Sequence, residues 1–275
     1  RLTLKGGVRE ILAATYLETL GVHTSKAFSL VETGEQLHRN DEPSPARGAV
    51  LVRLSESHIR FGTFQRAAYL AETASMIGQW MAAGFVHGVM NTDNFNVTGE
   101  TFDFGPWRFL PVSDPNFTAA YFDENGLYRF GRQPTQGAWA LQQLASALLP
   151  LADADDLARG LAPYEAAYQQ SFAAHTHLLL GLAGSGDLRN DLTFLQGLYG
   201  WMTASGASWP QTFFDLYGGP ASEARMKASP QAALYDTADF APVRDALAAR
   251  TPTHPGRLSL PYFQAAAPVV LLIED

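Results

Sequence analysis

The sequence predicts an α+β fold in which a small mixed portion precedes a larger, mainly helical portion. Two short segments near the start of the chain, residues 26–31 and 49–54, have the composition of strands. Helical periodicity dominates beyond about residue 65, where we expect the two portions to join. A chain of 275 residues with 47% apolar side chains can bury a substantial core.

The first helix is expected over residues 8–20, followed by the two strands. Apolar side chains recur there at helical spacing, and Gly21 supplies a stop. The residues that form this stripe are Val8, Ile11, Leu12, Tyr16 and Leu20. A polar loop that contains Pro43, Ser44, Pro45 and Gly48 is expected between the strands.

A second helix is expected at about residues 66–85, and residues 87–94 lack a period and indicate a loop. A compact β-hairpin is expected next, with residues 95–97 and 102–104 as its strands and a turn around residues 98–100.

The rest of the chain is expected to be helical, after a loop-rich stretch that ends at about residue 134. Its helices are predicted at roughly residues 136–149, 153–180 and 187–204, with only short helical pieces beyond residue 206.

Composition excludes several classes of protein. The net charge of -8 and the lack of basic clusters argue against a nucleic-acid surface. The longest apolar run, residues 265–273, is about half of the roughly 20 residues that a membrane span needs. The absence of cysteine excludes disulfides, thiolate nucleophiles and cysteine-ligated metals, and it fits a reducing, cytoplasmic location.

The stretch from His87 to Asn94 and the Asp-Phe-Gly sequence at residues 103–105 carry the candidate chemistry. The expected hairpin lies between them, so Asn94 and Asp103 should come close in space. With Asp93 they offer an amide oxygen and two carboxylates, which suit a hard divalent cation that also binds phosphates.

The same order of helix, loop, Asn, hairpin and Asp-Phe-Gly occurs in protein kinases. There the Asn and the later Asp hold metals, and an Asp five residues before the Asn accepts the substrate proton. In this sequence that position is Val89, and the available carboxylate is Asp93, directly before Asn94.

Three upstream residues complete the candidate site. Arg53 and Arg60 are candidates to clamp phosphates, because a guanidinium fork matches phosphate oxygens. Glu10 could occupy the place of the kinase helix Glu that orients a lysine. Each candidate also has a structural interpretation: Asp93, Asn94 and Asp103 as turn formers or caps, and Arg53, Arg60 and Glu10 as solvated surface residues.

Several longer strings resemble the selenoprotein O family, called YdiU in bacteria. The resemblance is clear from about residue 8 to residue 149 and thinner to about residue 216. The strings that carry it are residues 8–10, 21–24, 57–64, 84–94, 103–106, 114–116 and 129–134.

The resemblance implies a protein-kinase-like fold that binds ATP in a flipped orientation. Residues 1–64 would be the remnant of a small N-terminal lobe, and residues 65–275 a C-terminal lobe with the catalytic loop and the metal site. The implied activity is transfer of AMP from ATP to Ser, Thr or Tyr hydroxyls of proteins with release of pyrophosphate, using Mg²⁺ or Mn²⁺. The expected partners are ATP and hydroxyl-bearing proteins, with no nucleic acid and no membrane.

The family's roles fall on six residues of this sequence. Asp93 matches the proton acceptor, Asn94 and Asp103 match the metal ligands, and Asp103 also lies beside the phosphates. Arg53 and Arg60 match phosphate-contacting arginines, and Glu10 matches the helix Glu that pairs with the family's lysine.

The sequence also departs from the family. The family's glycine-rich loop and lysine lie upstream of the segment that matches residue 1, and Lys5 lies too close to the first helix to be that lysine. The interval between Gly62 and the helix before His87 is short, and the family's C-terminal tail is not matched. Two alternatives therefore stay open: an atypical kinase that transfers the γ-phosphoryl group, and a non-catalytic, pseudokinase-type binding module.

Overall fold

The computed structural model of the chain describes residues 2–38, 43–56, 67–96, 98–150 and 153–270. Within these residues a small antiparallel sheet and one helix precede a body built mostly of helices, so the α+β prediction is confirmed. The strands are β1 (Leu2–Thr3), β2 (Lys26–Leu37), β3 (Ala46–Leu54), β4 (Phe85–Val86) and β5 (Arg108–Phe109). The helices are α1 (Leu4–Thr19), α2 (Ala67–Ala83), α3 (Gln133–Leu148), α4 (Ala154–Leu161), α5 (Tyr164–Leu179), α6 (Leu188–Ser205), α7 (Trp209–Leu216), α8 (Glu223–Ala228), α9 (Ala232–Tyr235) and α10 (Ala241–Ala248).

The first sheet has the strand order β1-β3-β2, and α1 packs against it. Both predicted strands are confirmed, and both are longer than expected. β3 already begins at Ala46, so the prediction that Gly48 lies in a loop is wrong. A register shift between Glu32 and Gln36 lets the pairing continue on both sides of the irregularity. α1 begins earlier than expected because the Thr3 hydroxyl accepts a hydrogen bond from the Gly6 backbone N–H and caps the helix.

The second helix is confirmed as α2, which lies at the centre of the helical body. Its side chains are buried on most sides, and it packs along α5. The two helices approach so closely at Gly78 that a Cβ atom there would lie 2.8 Å from the backbone nitrogen of Phe172. Glycine is therefore required for this contact.

The predicted single helix at residues 153–180 is wrong, because the chain forms α4 and α5 instead. The break falls at Ala162 and Pro163, directly before α5 begins. Proline lacks a backbone N–H and its ring clashes with the preceding turn, so the helix cannot continue through it. The other predicted helices are confirmed as α3 and α6, and the short pieces beyond residue 206 as α7 to α10.

The predicted hairpin is also wrong. The structure places a turn where Gly99 N–H donates to Asn96 O, but the described residues from Phe95 to Trp107 form no regular strand. Thr101 instead forms a parallel bridge with Thr24, and Asp103 adopts a left-handed backbone with φ of 59° that interrupts an extended chain.

The strands that do pair lie outside this segment. Phe85 of β4 lies opposite Phe109 of β5, and Val86 lies opposite Arg108. Phe85 is fully buried, and five aromatic rings have centroids within 6.4 Å of its ring. These rings belong to Trp80, His87, Phe104, Trp107 and Phe109. The loop after β4 and the segment before β5 are thereby held side by side.

In the part of the chain that the structure describes, none of the helices has the length and apolar character that a membrane crossing requires.

We expect Gly78→Ala to lower the free energy of unfolding by about 1–3 kcal/mol, because its Cβ would force α2 and α5 apart. Gly200→Ala, in the exposed middle of α6 with open space around it, is the matched control and should raise that free energy by about 0.5–1 kcal/mol. Urea unfolding of both variants measures the difference, and equal effects would contradict the close approach.

Candidate functional site

The loop that follows β4 is anchored at its start by His87. This side chain is 1% exposed, and its Nε2 lies 3.3 Å from the carbonyl oxygen of Phe102, to which it donates. Gln133 braces the same point, because its Oε1 accepts from the His87 backbone N–H at 2.9 Å and its Nε2 donates to Phe85 O at 2.8 Å. Burial lowers the pKa of His87, so the ring is neutral and serves as a structural hydrogen bonder.

The turn formed by Thr92–Asn94 presents two of the candidate residues. The Asn94 backbone N–H donates to Asn91 O, and its side-chain Nδ2 donates to Val89 O, both at 2.9 Å. Because the amide nitrogen is directed at the loop's own backbone, the amide oxygen is the atom that offers lone pairs to a cation. Asp93 directly precedes Asn94 in the chain, and its side chain is exposed.

Asp103 occupies a strained backbone position on the opposite flank. Its φ of 59° is unusual for a residue other than glycine, although Asp tolerates it better than most. Phe102 and Phe104 on either side are buried, whereas Asp103 is half-buried. The Asp103 charge raises the pKa of Glu10 and also acts on His87, so its carboxylate lies within electrostatic reach of both.

An ion pair between α1 and β3 lies next to the segment that contains Asp103. Arg53 Nη1 donates to Glu10 Oε2 at 2.7 Å, and the two side chains are only 22% and 11% exposed. The Arg53 guanidinium carbon also lies 4.6 Å from the centroid of the Phe102 ring. Arg53 therefore joins α1 and β3 to the residue that precedes Asp103.

Glu10 has a perturbed acidity. The pKa of Glu10 is raised to about 7. Burial is the largest cause and the Asp103 charge adds to it, while Arg53 and a hydrogen bond from the Phe104 backbone oppose the increase. The family resemblance implies that Glu10 pairs with a lysine. In the described residues, Glu10 pairs with Arg53.

Arg60 and the string at residues 57–62 lie outside the described residues. Within the described ranges, no group of three or more His, Asp or Glu side chains is arranged to hold a metal ion. The donor set of one amide oxygen at Asn94 and carboxylates at Asp93 and Asp103 still fits Mg²⁺ or Mn²⁺. Such ions bind through one or two carboxylates and take their remaining ligands from water and phosphates.

Two features of the site gave no signal in the sequence. Glu100 is 3% exposed and accepts hydrogen bonds from Ser55 Oγ and from Asn96 Nδ2, which ties the end of β3 to the turn before Asp103. Tyr128 donates its hydroxyl to Asn91 Oδ1 at 2.6 Å and so contacts the Asp93 loop from the other side. Single Ser, Asn, Glu and Tyr side chains form no recognisable pattern until the fold brings them together.

The family model described as "Protein adenylyltransferase SelO" matches residues 1–77 and 69–239 of this chain. The chain belongs to the SelO family. The resemblance in the sequence is thereby confirmed, and the match extends further toward the C-terminus than the strings alone indicated.

Curated relatives named "Protein nucleotidyltransferase YdiU" are similar over much of the chain. The protein of Synechocystis sp. is 40% identical over 259 residues, which covers 78% of this chain and 54% of the relative. The protein of Synechococcus elongatus is 44% identical over 209 residues, with 63% and 42% covered. The protein of Pectobacterium carotovorum is 35% identical over 249 residues, with 78% and 50% covered. The chain spans about half the length of the curated relatives it matches.

The two segments of the SelO match overlap at residues 69–77, near the start of α2. A match divided at this place is consistent with the short interval noted between Gly62 and His87, because a stretch absent from one chain divides an alignment.

We expect the pH dependence of stability to report the burial of Glu10. Its pKa of about 7 in the folded state lies above the ordinary value of 4.5, so the folded state binds the proton more tightly and stability falls as pH rises from about 4.5 to 7. Glu10→Gln should remove this loss, which we expect to be about 2–3 kcal/mol.

Urea unfolding of both proteins at pH 5 and pH 8 in metal-free buffer measures it. The free energy of unfolding of the variant, minus that of the unsubstituted protein, should be larger at pH 8 than at pH 5. The same difference between the two proteins at both pH values would contradict a buried, weakly acidic Glu10.

Proposed function

We propose that this protein transfers AMP from ATP to Ser, Thr or Tyr hydroxyls of other proteins and releases pyrophosphate. The observation that carries the proposal is the convergence of the Glu10–Arg53 ion pair with Asp103. Asp103 lies on the flank joined by β4 and β5 to the loop that presents Asp93 and Asn94. Membership of the SelO family supports the same activity.

The proposed reaction forms a bond between the acceptor oxygen and the α-phosphorus of ATP and breaks the bond from that phosphorus to the bridging oxygen. The electron pair of the broken bond leaves with pyrophosphate. The hydroxyl proton passes to Asp93, whose exposed carboxylate an incoming protein side chain can reach.

The remaining residues neutralise the negative charge of the ATP phosphates. Asn94 and Asp103 would hold Mg²⁺ or Mn²⁺, which when bound neutralises charge on the phosphate oxygens. Arg53 stabilises the departing pyrophosphate, and Glu10 together with the Phe102 ring hold its guanidinium in place before the nucleotide arrives. Arg60 has the same task in this proposal, on the strength of its match to the family.

The proposal includes a protein-kinase-like fold with two lobes. Residues 1–64 would contribute β1 to β3 and α1 to a small lobe, and residues 65–275 the larger lobe. An antiparallel sheet with a packed helix, followed by a helical body that holds the Asp-Phe-Gly sequence, supports this division. The site would then lie where the lobes meet, because Arg53 belongs to the first and Asp103 to the second.

Transfer chemistry is tested by incubating the protein with acceptor protein, Mg²⁺ or Mn²⁺, and ATP labelled in parallel at the α or the γ position. Label should stay on protein from the α position alone, with pyrophosphate as the second product. We expect Asp93→Asn and Asp103→Asn each to reduce transfer by about 100-fold or more, because they remove the proton acceptor and a metal ligand.

Asp239→Asn, an exposed carboxylate in the helical body, is the matched control and should leave transfer unchanged. Retention of the γ label would indicate a kinase instead. Absence of transfer together with absence of ATP binding would indicate a non-catalytic module.

A further inference from the structure

A closed loop of residues 117–130 lies beside the candidate site. Its base is joined by a hydrogen bond from Phe130 N–H to Phe117 O at 2.9 Å. Inside the loop both carboxylate oxygens of Asp123 accept backbone N–H groups, from Leu127 at 2.7 Å and from Tyr128 at 2.8 Å. These bonds fix the shape of the loop before any partner binds.

Both sides of the 117–130 loop are attached to the loop that carries Asp93. On one side, the backbone of Gly88, the residue after His87, approaches Ala119 so closely that a Cβ atom at Gly88 would lie only 3.1 Å from Ala119 Cβ. On the other side, the Tyr128 hydroxyl donates to Asn91 Oδ1 at 2.6 Å. A molecule that binds to the 117–130 loop is therefore held on a segment that directly contacts the loop carrying Asp93.

The outer surface of this loop is unusual because it exposes two aromatic rings. Tyr121 is 78% and Phe122 54% exposed, and the rings contact each other edge to face with centroids 5.3 Å apart. Tyr121 also lines a concavity of about 430 Å³ whose other lining residues are mostly polar, among them Asn116 just before the loop and Glu124 and Arg129 within it. Exposed aromatic side chains next to a polar concavity are typical of protein-binding surfaces.

The charge of the surface indicates the chemistry of its partner. Asp123 and Glu124 line the concavity against one cation, Arg129, and Asp93 adds another negative charge near Tyr128. Aromatic faces also attract guanidinium and ammonium groups. The combination favours a partner with a basic side chain.

We propose that the 117–130 loop is the docking surface for the acceptor protein, and that it binds a segment with Arg or Lys close to the hydroxyl that receives AMP. Tyr121 and Phe122 contact the acceptor segment, and Glu124 pairs with its basic side chain. This inference rests on the proposed function, because it assigns a substrate preference to that same site.

The probes are two synthetic peptides with one central Ser, identical except that Arg residues flank the Ser in one and Glu residues in the other. Fluorescence anisotropy measures their binding, and transfer of α-labelled AMP measures their KM and kcat. The test variant is Tyr121→Ser combined with Phe122→Ser. Phe28→Ser, an equally exposed aromatic residue on β2, is the matched control.

The protein should bind the Arg peptide at least about tenfold more tightly than the Glu peptide, and the double variant should lose about tenfold or more of that affinity. The KM for the Arg peptide should rise in parallel, while the KM for ATP and the behaviour of Phe28→Ser stay unchanged. Because all three side chains are exposed, we expect the variants to fold normally, and Tm values check this directly.

Equal binding of the two peptides, or unchanged binding by the double variant, would overturn the inference. Binding is measured without turnover, so the two proposals fail separately. Selective binding of the Arg peptide without AMP transfer would support the docking surface and contradict the proposed function. Transfer of AMP without peptide selectivity would support the proposed function and contradict the docking surface.

Discussion

The antiparallel pairing of β4 with β5 is the constraint on which the candidate site depends. Only two residue pairs form it, Phe85 with Phe109 and Val86 with Arg108, yet it places the loop that begins at His87 beside the segment that ends at Trp107. The fully buried Phe85 ring stabilises the pairing further, because His87 of one segment and Trp107 of the other both pack against it. Asp93 and Asn94 on one side and Asp103 on the other are thus carried by a rigid aromatic core.

Arg53 is the second link, and it joins the sheet portion to that core. Its guanidinium donates to Glu10 and rests on the Phe102 ring, so a single side chain contacts α1 and the residue before Asp103. Two opposing effects act on the Glu10 carboxylate, the loss of water on burial and the attraction of Arg53. Burial of the Glu10 carboxylate outweighs the attraction of Arg53 and raises its pKa, which is the expected behaviour of a buried ion pair whose partners lose much of their water. Such a pair holds geometry rather than supplying stability.

The sequence predicts most of the helices and the long strands, because their apolar periodicity is local, although the periodicity runs through Pro163 and so joins α4 and α5. It also fails where a short-range pattern competes with long-range contacts. The segment around Asp103 alternates like a strand, but Thr101 pairs with Thr24 and His87 takes the Phe102 carbonyl, so no hairpin forms in the described residues. The pairing of β4 with β5 is too short to leave a period of its own. The candidate residues were recognisable as motifs, whereas the contact between Glu10 and Arg53 joins residues far apart in the chain and required the fold. Their assigned roles stay predictions.

The proposed function requires Asn94 and Asp103 to bind one metal ion. Binding of Mn²⁺ in the presence of ATP, followed by electron paramagnetic resonance, tests it directly in a double-mutant cycle of Asn94→Ala and Asp103→Asn. Two ligands of one ion are strongly coupled, so each single variant should weaken Mn²⁺ binding markedly and the double variant should bind little worse than the weaker single one. Independent, additive losses, or binding that neither substitution changes, would contradict a shared metal site.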